Sequence, residues 1–248
     1  MENNLLKKRQ HNLGIKFLFF VGLLVFLFSF VIAVPQGVDV EIINESTRTV
    51  SAGYEINTSG GSITTANITA RLQNFRWKAF VGNVSGSFSL DDASGSTIYD
   101  WSMAVIGGQV YATRNESTIS WGDIACADVA DLEAENLAMN LTNAYDNITA
   151  TFSLSTNHDP FSVGGVPIAN CDFYLKTYVS GESQDGTDFF EAVVLTDEVS
   201  GLIYSTKIEG GEVGYDGSTF DFQMIVPENP TIHSQGSSTA YYLYVELT

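Results

Sequence analysis

The chain has 248 residues, 29 of them Asp or Glu against 11 Lys or Arg, for a formal net charge of −18 at pH 7. A field of that sign repels nucleic acid and anionic lipid, so no nucleic-acid partner is expected. With 44% hydrophobic and 12% aromatic residues, the chain buries enough surface to offset its conformational entropy, which excludes a fully disordered protein.

Lys7, Lys8, Arg9 and Lys16 precede an uncharged apolar run at 17–34, which stops at Pro35 and Gly37. Basic residues stay on the cytoplasmic side of such a run, so the chain beyond it is expected outside the cell. At about 18 residues the run lies between a long signal-peptide core and a short membrane span. Residues 1–33 therefore read as a signal peptide, cleaved after Ala33 where Val31 and Ala33 meet the small-residue rule, or as a retained signal anchor. Membrane contact is expected through this segment only. Residues 34–248 read as one extracellular domain, with a weak boundary near 157–167, where "NHDPFSVGGVP" collects turn formers.

Residues 38–43 alternate apolar and acidic side chains as a half-buried strand does, and 48–57 and 62–72 read as two more strands across a "TSGG" turn. Next, Phe75, Trp77, Ala79 and Val81 share a face. Beyond Gly82-Asn83, Val84, Phe88 and Leu90 are expected inward, and Thr97, Tyr99, Trp101, Met103 and Val105 make a third comb after "DDASGS". This pattern predicts a three-stranded meander, with 109–113 as a fourth strand. The stretch "ADVADLEAENLAMNL" spaces Val129, Leu132, Leu137 and Leu141 helically, with acidic residues early, and predicts a short helix. Strands are predicted again at 148–154, 172–179, 188–195, 202–208, 219–226 and 241–247. The expected fold is all-β, an antiparallel β-sandwich of Ig-like or jelly-roll-like type with one short helix. The last strand, "YYLYVELT", suits donation to a neighbouring subunit but more commonly pairs within its own domain.

Seven Asn-x-Ser/Thr triplets begin at Asn44, Asn57, Asn67, Asn83, Asn115, Asn140 and Asn147, none with proline in the middle. Chance at this composition gives about 2 to 3, so N-glycosylation of an exported chain is expected. All seven lie before residue 148, which leaves the carboxy-terminal part bare and suited to packing against neighbours. The two cysteines, Cys126 and Cys171, lie beyond the apolar run. In an oxidising compartment they are expected to form a disulfide; two Cys without a nearby pair of His supply too few ligands for zinc.

Signals for chemistry are sparse. The chain has no G-x-S-x-G elbow, HExxH helix, P-loop or dinucleotide fingerprint. Beyond the apolar run the histidines are His158 and His233, both in turn-rich stretches and expected to be solvated. Abundant carboxylates make close pairs unavoidable and uninformative for glycoside hydrolysis. The chain is accordingly not expected to be an enzyme.

Calcium is the one cofactor the sequence suggests. Glu182, Asp185 and Asp188 in "GESQDGTD" are the candidate ligands, with Asp91, Asp92 and Asp216 in similar loops. None matches an EF-hand, and plain Asp/Gly turns explain each as well. Trp77, Trp101, Trp121, Tyr241, Tyr242 and Tyr244 are the aromatics able to stack on sugar rings, although alternation assigns most to inner faces.

The stretch from Trp77 to Trp101, containing "FVGNVSGSFSLDDASG" and continuing into "GQVYATRN", resembles a segment of uncharacterised exported proteins of archaea. The resemblance implies an N-glycosylated cell-surface protein without a defined activity. "KKRQHNLG" before "IKFLFF" partly resembles the leader of archaeal type IV pilins, which couple an apolar helix to a glycosylated β domain. Lys16 and the lack of a Glu soon after it depart from that pattern, and Pro35 stops a helix early. The expectation is an extracellular cell-surface glycoprotein with a structural or adhesive role in the cell envelope or a surface filament. Its partners would be copies of itself or other envelope proteins. The alternatives are a carbohydrate- or calcium-dependent binding module and, third, a secreted hydrolase.

Overall fold

A computed structural model describes residues 34–49, 51–103, 106–115, 119–154, 158–183, 190–197, 199, 201–229 and 238–248. The segment 1–33 lies outside the described residues, and among these no helix is long and apolar enough to cross a membrane.

The main sheet is antiparallel throughout. Its order is β1 (Gln36–Gly37), β15 (Tyr242–Leu247), β5 (Gly108–Thr113), β11 (Leu202–Lys207), β10 (Glu191–Thr196) and β6 (Ala125–Cys126), with β9 (Tyr174–Lys176) also on β10. A separate ribbon joins β2 (Trp77–Gly82) to β14 (Phe222–Pro227). Three further pairs are β3 (Ser87–Asp91) with β4 (Thr97–Ser102), β7 (Phe161–Val163) with β8 (Val166–Ile168), and β12 (Glu212–Val213) with β13 (Thr219–Phe220). Two α-helices, α1 (Val129–Ala138) and α2 (Ile148–Thr151), and a short 3-10 helix at Trp121–Asp123 complete the described elements.

Strands β5 and β10 are buried at every position, and β11 at all but Lys207. A strand buried on both faces needs cover on both, and the period-2 alternation of side chains sorts its residues between two cores. On one face Val110, Ala112, Val194 and Tyr204 pack with Leu132, Ile148 and Phe152 from the helical region and with Met224 and Val226 of β14. On the other, Tyr111, Val193, Leu195 and Ile203 meet Val163 and Ile168 of the β7–β8 hairpin, with Ile124 and Tyr174. The all-β, antiparallel expectation is met, and the predicted helix is α1.

Local chemistry sets the helix ends. Asp128 caps α1 by accepting from Asp131 N at 3.0 Å while the Asp131 carboxylate accepts from Asp128 N at 2.9 Å, a reciprocal capping box. The helix stops where Asn140 adopts φ 55° and Leu141 N bonds back to Asn136 O at 2.8 Å, a left-handed termination that asparagine tolerates. Residues 148–151, predicted as strand, are helical instead. Asn147 caps them, its side chain accepting from Ala150 N at 2.8 Å, and a capped turn supplies locally the hydrogen bonds that a strand must find elsewhere.

Two larger expectations are corrected. The meander does not form: β2 pairs with β14, from Trp77 opposite Pro227 to Gly82 opposite Phe222. Asp221 turns the chain away after Asn83, its carboxylate accepting from Val84 N at 2.8 Å and its own N–H donating to Gly82 O at 2.9 Å. Burial of Met224 and Val226 against the main sheet outweighs the tendency of chain neighbours to pair. The β3–β4 hairpin that remains is exposed at every residue.

The strands predicted at 38–43, 48–57 and 62–72 are absent as well. The described residues between β1 and β2 form no strand and leave Val38, Val40, Ile42, Ile43, Tyr54, Ile56, Ile63, Ile68 and Leu72 exposed. Alternation makes a strand only where it pairs with an edge, and beyond Gly37 no strand of the main sheet pairs with this arm among the described residues.

Cys126 and Cys171 form the expected disulfide, with 5.2 Å between their Cα atoms. β6 pairs with Leu195 and Thr196 of β10, and β9 with residues 191–193 of the same strand. The bridge thus ties together two short segments that share one edge of β10.

Candidate functional site

The acceptor asparagines are distributed unevenly in exposure. Asn44, Asn57 and Asn67 lie exposed in the arm between β1 and β2, Asn83 is exposed just after β2, and Asn140 is exposed at the end of α1. Asn115 and Asn147 are half-buried. The Asn147 cap uses the side-chain oxygen and leaves the amide nitrogen, the atom to which an N-linked sugar attaches.

The β3–β4 hairpin carries exposed aromatic and apolar side chains on one side. Phe88 stands opposite Trp101, and Leu90 opposite Tyr99. Directly opposed residues share a face, so these four make one apolar side, each between 39% and 60% exposed. Tyr99 and Trp101 meet edge to face with ring centroids 5.0 Å apart. The opposite side carries Ser87, Ser89, Asp100 and Ser102, with Ile98 beside the register shift at Leu90/Asp91.

Asp92 holds the turn, accepting from Ser94 N at 2.8 Å, Ser94 Oγ at 2.6 Å and Ser96 N at 2.9 Å. The hydrogen bond from the Ser94 side chain leads in holding its carboxyl below the usual range. At the root of the hairpin, a Cβ on Gly86 would run into the Leu247 side chain, which places the hairpin base against the end of β15. The expectation that Trp101 faces inward is therefore corrected, whereas Trp77, Trp121, Tyr241 and Tyr244 do pack against the cores.

Among the described residues the acidic loops do not converge. Glu182 is exposed and closes a two-residue turn with Val179 through backbone hydrogen bonds of 2.9 Å each way; Asp185 and Asp188 lie outside the described residues. Asp91 accepts from Ser89 Oγ at 2.7 Å, and Asp216 from Ser218 N at 2.9 Å, each within its own turn. Among the described residues, no three His, Cys, Asp or Glu side chains group as metal ligands.

His158 is buried, 4% exposed, and not solvated. Its Nδ1 lies 2.7 Å from Asp159 O, and its Nε2 accepts from Cys171 N at 3.0 Å. That pairing assigns the proton to Nδ1. Phe161 and Tyr174 flank the ring at centroid distances of 5.8 and 5.7 Å. The turn formers of "NHDP" signal a loop but not that the loop packs beneath β9. His233 lies outside the described residues.

A buried carboxylate that the sequence did not single out is Glu246, 3% exposed in the alternating last strand. It accepts from Tyr111 Oη at 2.9 Å and from Gly164 N at 3.1 Å, joining β15 to β5 and to the β7–β8 turn. Burial raises its pKa above the ordinary glutamate value of 4.5, against the lowering effect of the two hydrogen bonds. The folded protein therefore holds this proton more tightly than the unfolded chain. The associated stability is complete below pH 4.5 and is lost as pH rises through the folded-state value. Glu246→Gln is expected to remove this part of the pH dependence, seen as a shallower fall of urea-unfolding free energy from pH 4.5 upward; slopes equal to wild type would rule it out.

Compared with protein-family models, with curated proteins and with solved structures, the chain matches none.

Proposed function

We propose that the protein is an N-glycosylated cell-surface protein with a structural or adhesive role in the cell envelope or a surface filament. Residues 1–33 deliver it, as a signal peptide or as an anchor, in line with the resemblance to exported archaeal proteins. In this reading the domain is an open sandwich whose second layer is the β2–β14 ribbon. The observation that carries the proposal is the set of seven acceptor triplets, five with exposed asparagines, in a chain whose two cysteines are joined. Both features belong to proteins matured outside the cytosol.

Intact mass of the native protein before and after enzymatic deglycosylation tests it. Asn57→Gln and Asn67→Gln are each expected to remove one glycan mass and leave the unfolding midpoint unchanged, because both side chains are exposed. A native protein of unmodified mass would overturn the proposal.

A second reading, a carbohydrate-binding module, is favoured by the exposed Tyr99–Trp101 pair, since aromatic faces stack on sugar rings. Glycan-array binding abolished by Trp101→Ala would support it, and chelator would show whether calcium takes part. The hydrolase reading finds no support at His158, whose two ring nitrogens are engaged by the backbone.

A further inference from the structure

We infer that the arm between β1 and β2 of one molecule seats residues 62–72 on the β3–β4 hairpin of a second copy, adding a strand to it, so that the chain associates head to tail. The inference rests on the surface-protein reading and names the partner as the protein itself.

The donor is an exposed segment that pairs with no strand among the described residues; across the arm, Arg48 Nη1 donates to Arg71 O at 3.1 Å. Ile68 and Leu72 are 92% and 86% exposed in their own molecule. In an extended strand Ala66, Ile68, Ala70 and Leu72 fall on one side and Asn67, Thr69 and Arg71 on the other. A sugar on Asn67 would then leave the apolar side clear. The arm is fixed at Gly37, paired with Tyr244 in the main sheet, and at Trp77, paired with Pro227 in the ribbon. Lys78 Nζ also holds Glu45 Oε1 at 2.6 Å, and the loop beyond, tethered at both ends, reaches on the order of 50 Å when extended, enough to meet a neighbour.

The acceptor is the hairpin, whose apolar side is open and whose two strands pair only with each other among the described residues. Two isolated strands are marginal in water, and a third strand over an apolar face makes such a unit stable. Strand addition is an established way for an extended segment to bind a sheet edge.

Charge selects which part of the arm fits. The hairpin and its turn carry Asp91, Asp92 and Asp100 and no basic residue, and residues 62–72 carry Arg71 as their only charge. Residues 38–43 alternate equally well but bring Asp39 and Glu41, which like-charge repulsion disfavours beside those aspartates. Donor and acceptor are different surfaces of one chain, so the contact is heterologous and repeats as an open chain rather than closing as a symmetric pair.

Mixing two variants of the full-length protein in detergent tests this. Ile68→Asp spoils the donor and leaves the acceptor; Tyr99→Ser with Trp101→Ser does the reverse. Wild type is expected to form a concentration-dependent ladder of oligomers by mass photometry. Each variant alone is expected to stay monomeric, with association weakened at least tenfold, while the mixture forms dimers and stops there. Thermal unfolding matching wild type verifies that both variants are folded. A mixture no larger than its components, or a wild type that stays monomeric, overturns the inference; variants that assemble as wild type does place the contact elsewhere and overturn it too. If wild type stays monomeric and binds glycans through Trp101, the hairpin is a sugar site instead. Glycan mass on the native protein reads the surface-protein proposal separately from all of these.

Discussion

Replacing Cys126 and Cys171 together by alanine is expected to lower the unfolding free energy by roughly 4 kcal/mol, the chain-entropy value for a loop of 45 residues. For a domain of this size that corresponds to a fall in Tm of about 10 °C. The bridge leaves β6 and the chain before β9 attached to each other as well as to the outer edge of β10. Without it, the unfolded chain regains the freedom of the whole intervening stretch, which includes both helices and the β7–β8 hairpin. Urea unfolding of the double variant beside wild type measures the effect. Wild type under reducing conditions should approach the variant, and a loss below about 1 kcal/mol would show that loop closure is not how this bond acts.

The second large effect is expected at Phe152, immediately after α2. Its ring is buried, 6.1 Å from Trp77 of the ribbon and 5.8 Å from Tyr204 of the main sheet by centroids. One side chain thus fills the space where helix, ribbon and sheet meet. Phe152→Ala is expected to cost about 3–5 kcal/mol through lost transfer free energy and the cavity left behind.

A neighbouring substitution sharpens the comparison, because the buried Tyr204 hydroxyl has no hydrogen-bond partner among the described residues. Burial, with the Tyr241 and Glu135 side chains nearby, keeps its pKa well above the ordinary value, so it is a neutral phenol. An orphaned buried hydroxyl is costly, whereas a phenyl ring of the same shape is not. Tyr204→Phe is expected to raise stability by about 1 kcal/mol in the same assay. A loss of stability would show that the hydroxyl finds a partner in solution.

Several structural features were legible from residue order because each is decided within a few positions. The Asp128/Asp131 cap and the left-handed Asn140 frame α1. The apolar clusters at 192–195 and 202–204 lie in two of the strands that residue order predicts, β10 and β11. A lone pair of cysteines past an apolar run predicts the disulfide, and the triplets mark asparagines of which five are exposed.

What residue order left open was which edges meet. Phe88, Leu90, Tyr99 and Trp101 alternate as well as any core strand, and so does the arm before β2. Alternation states that side chains share a face, not that anything lies against it. β14, about 140 residues downstream, takes β2 from its chain neighbour through a long-range pairing that no local window reports. The same choice strips the hairpin of its third strand. His158 and Glu246, unremarkable in a turn and in an alternating strand, are buried for a like reason on the other face, where the chain around Phe161, Gly164 and Cys171 closes over them. Sequence alone determined α1, the bridging cysteines and the places of the Asn-x-Ser/Thr triplets; only the tertiary structure decided what is covered, because burial belongs to pairs of distant segments and not to either one.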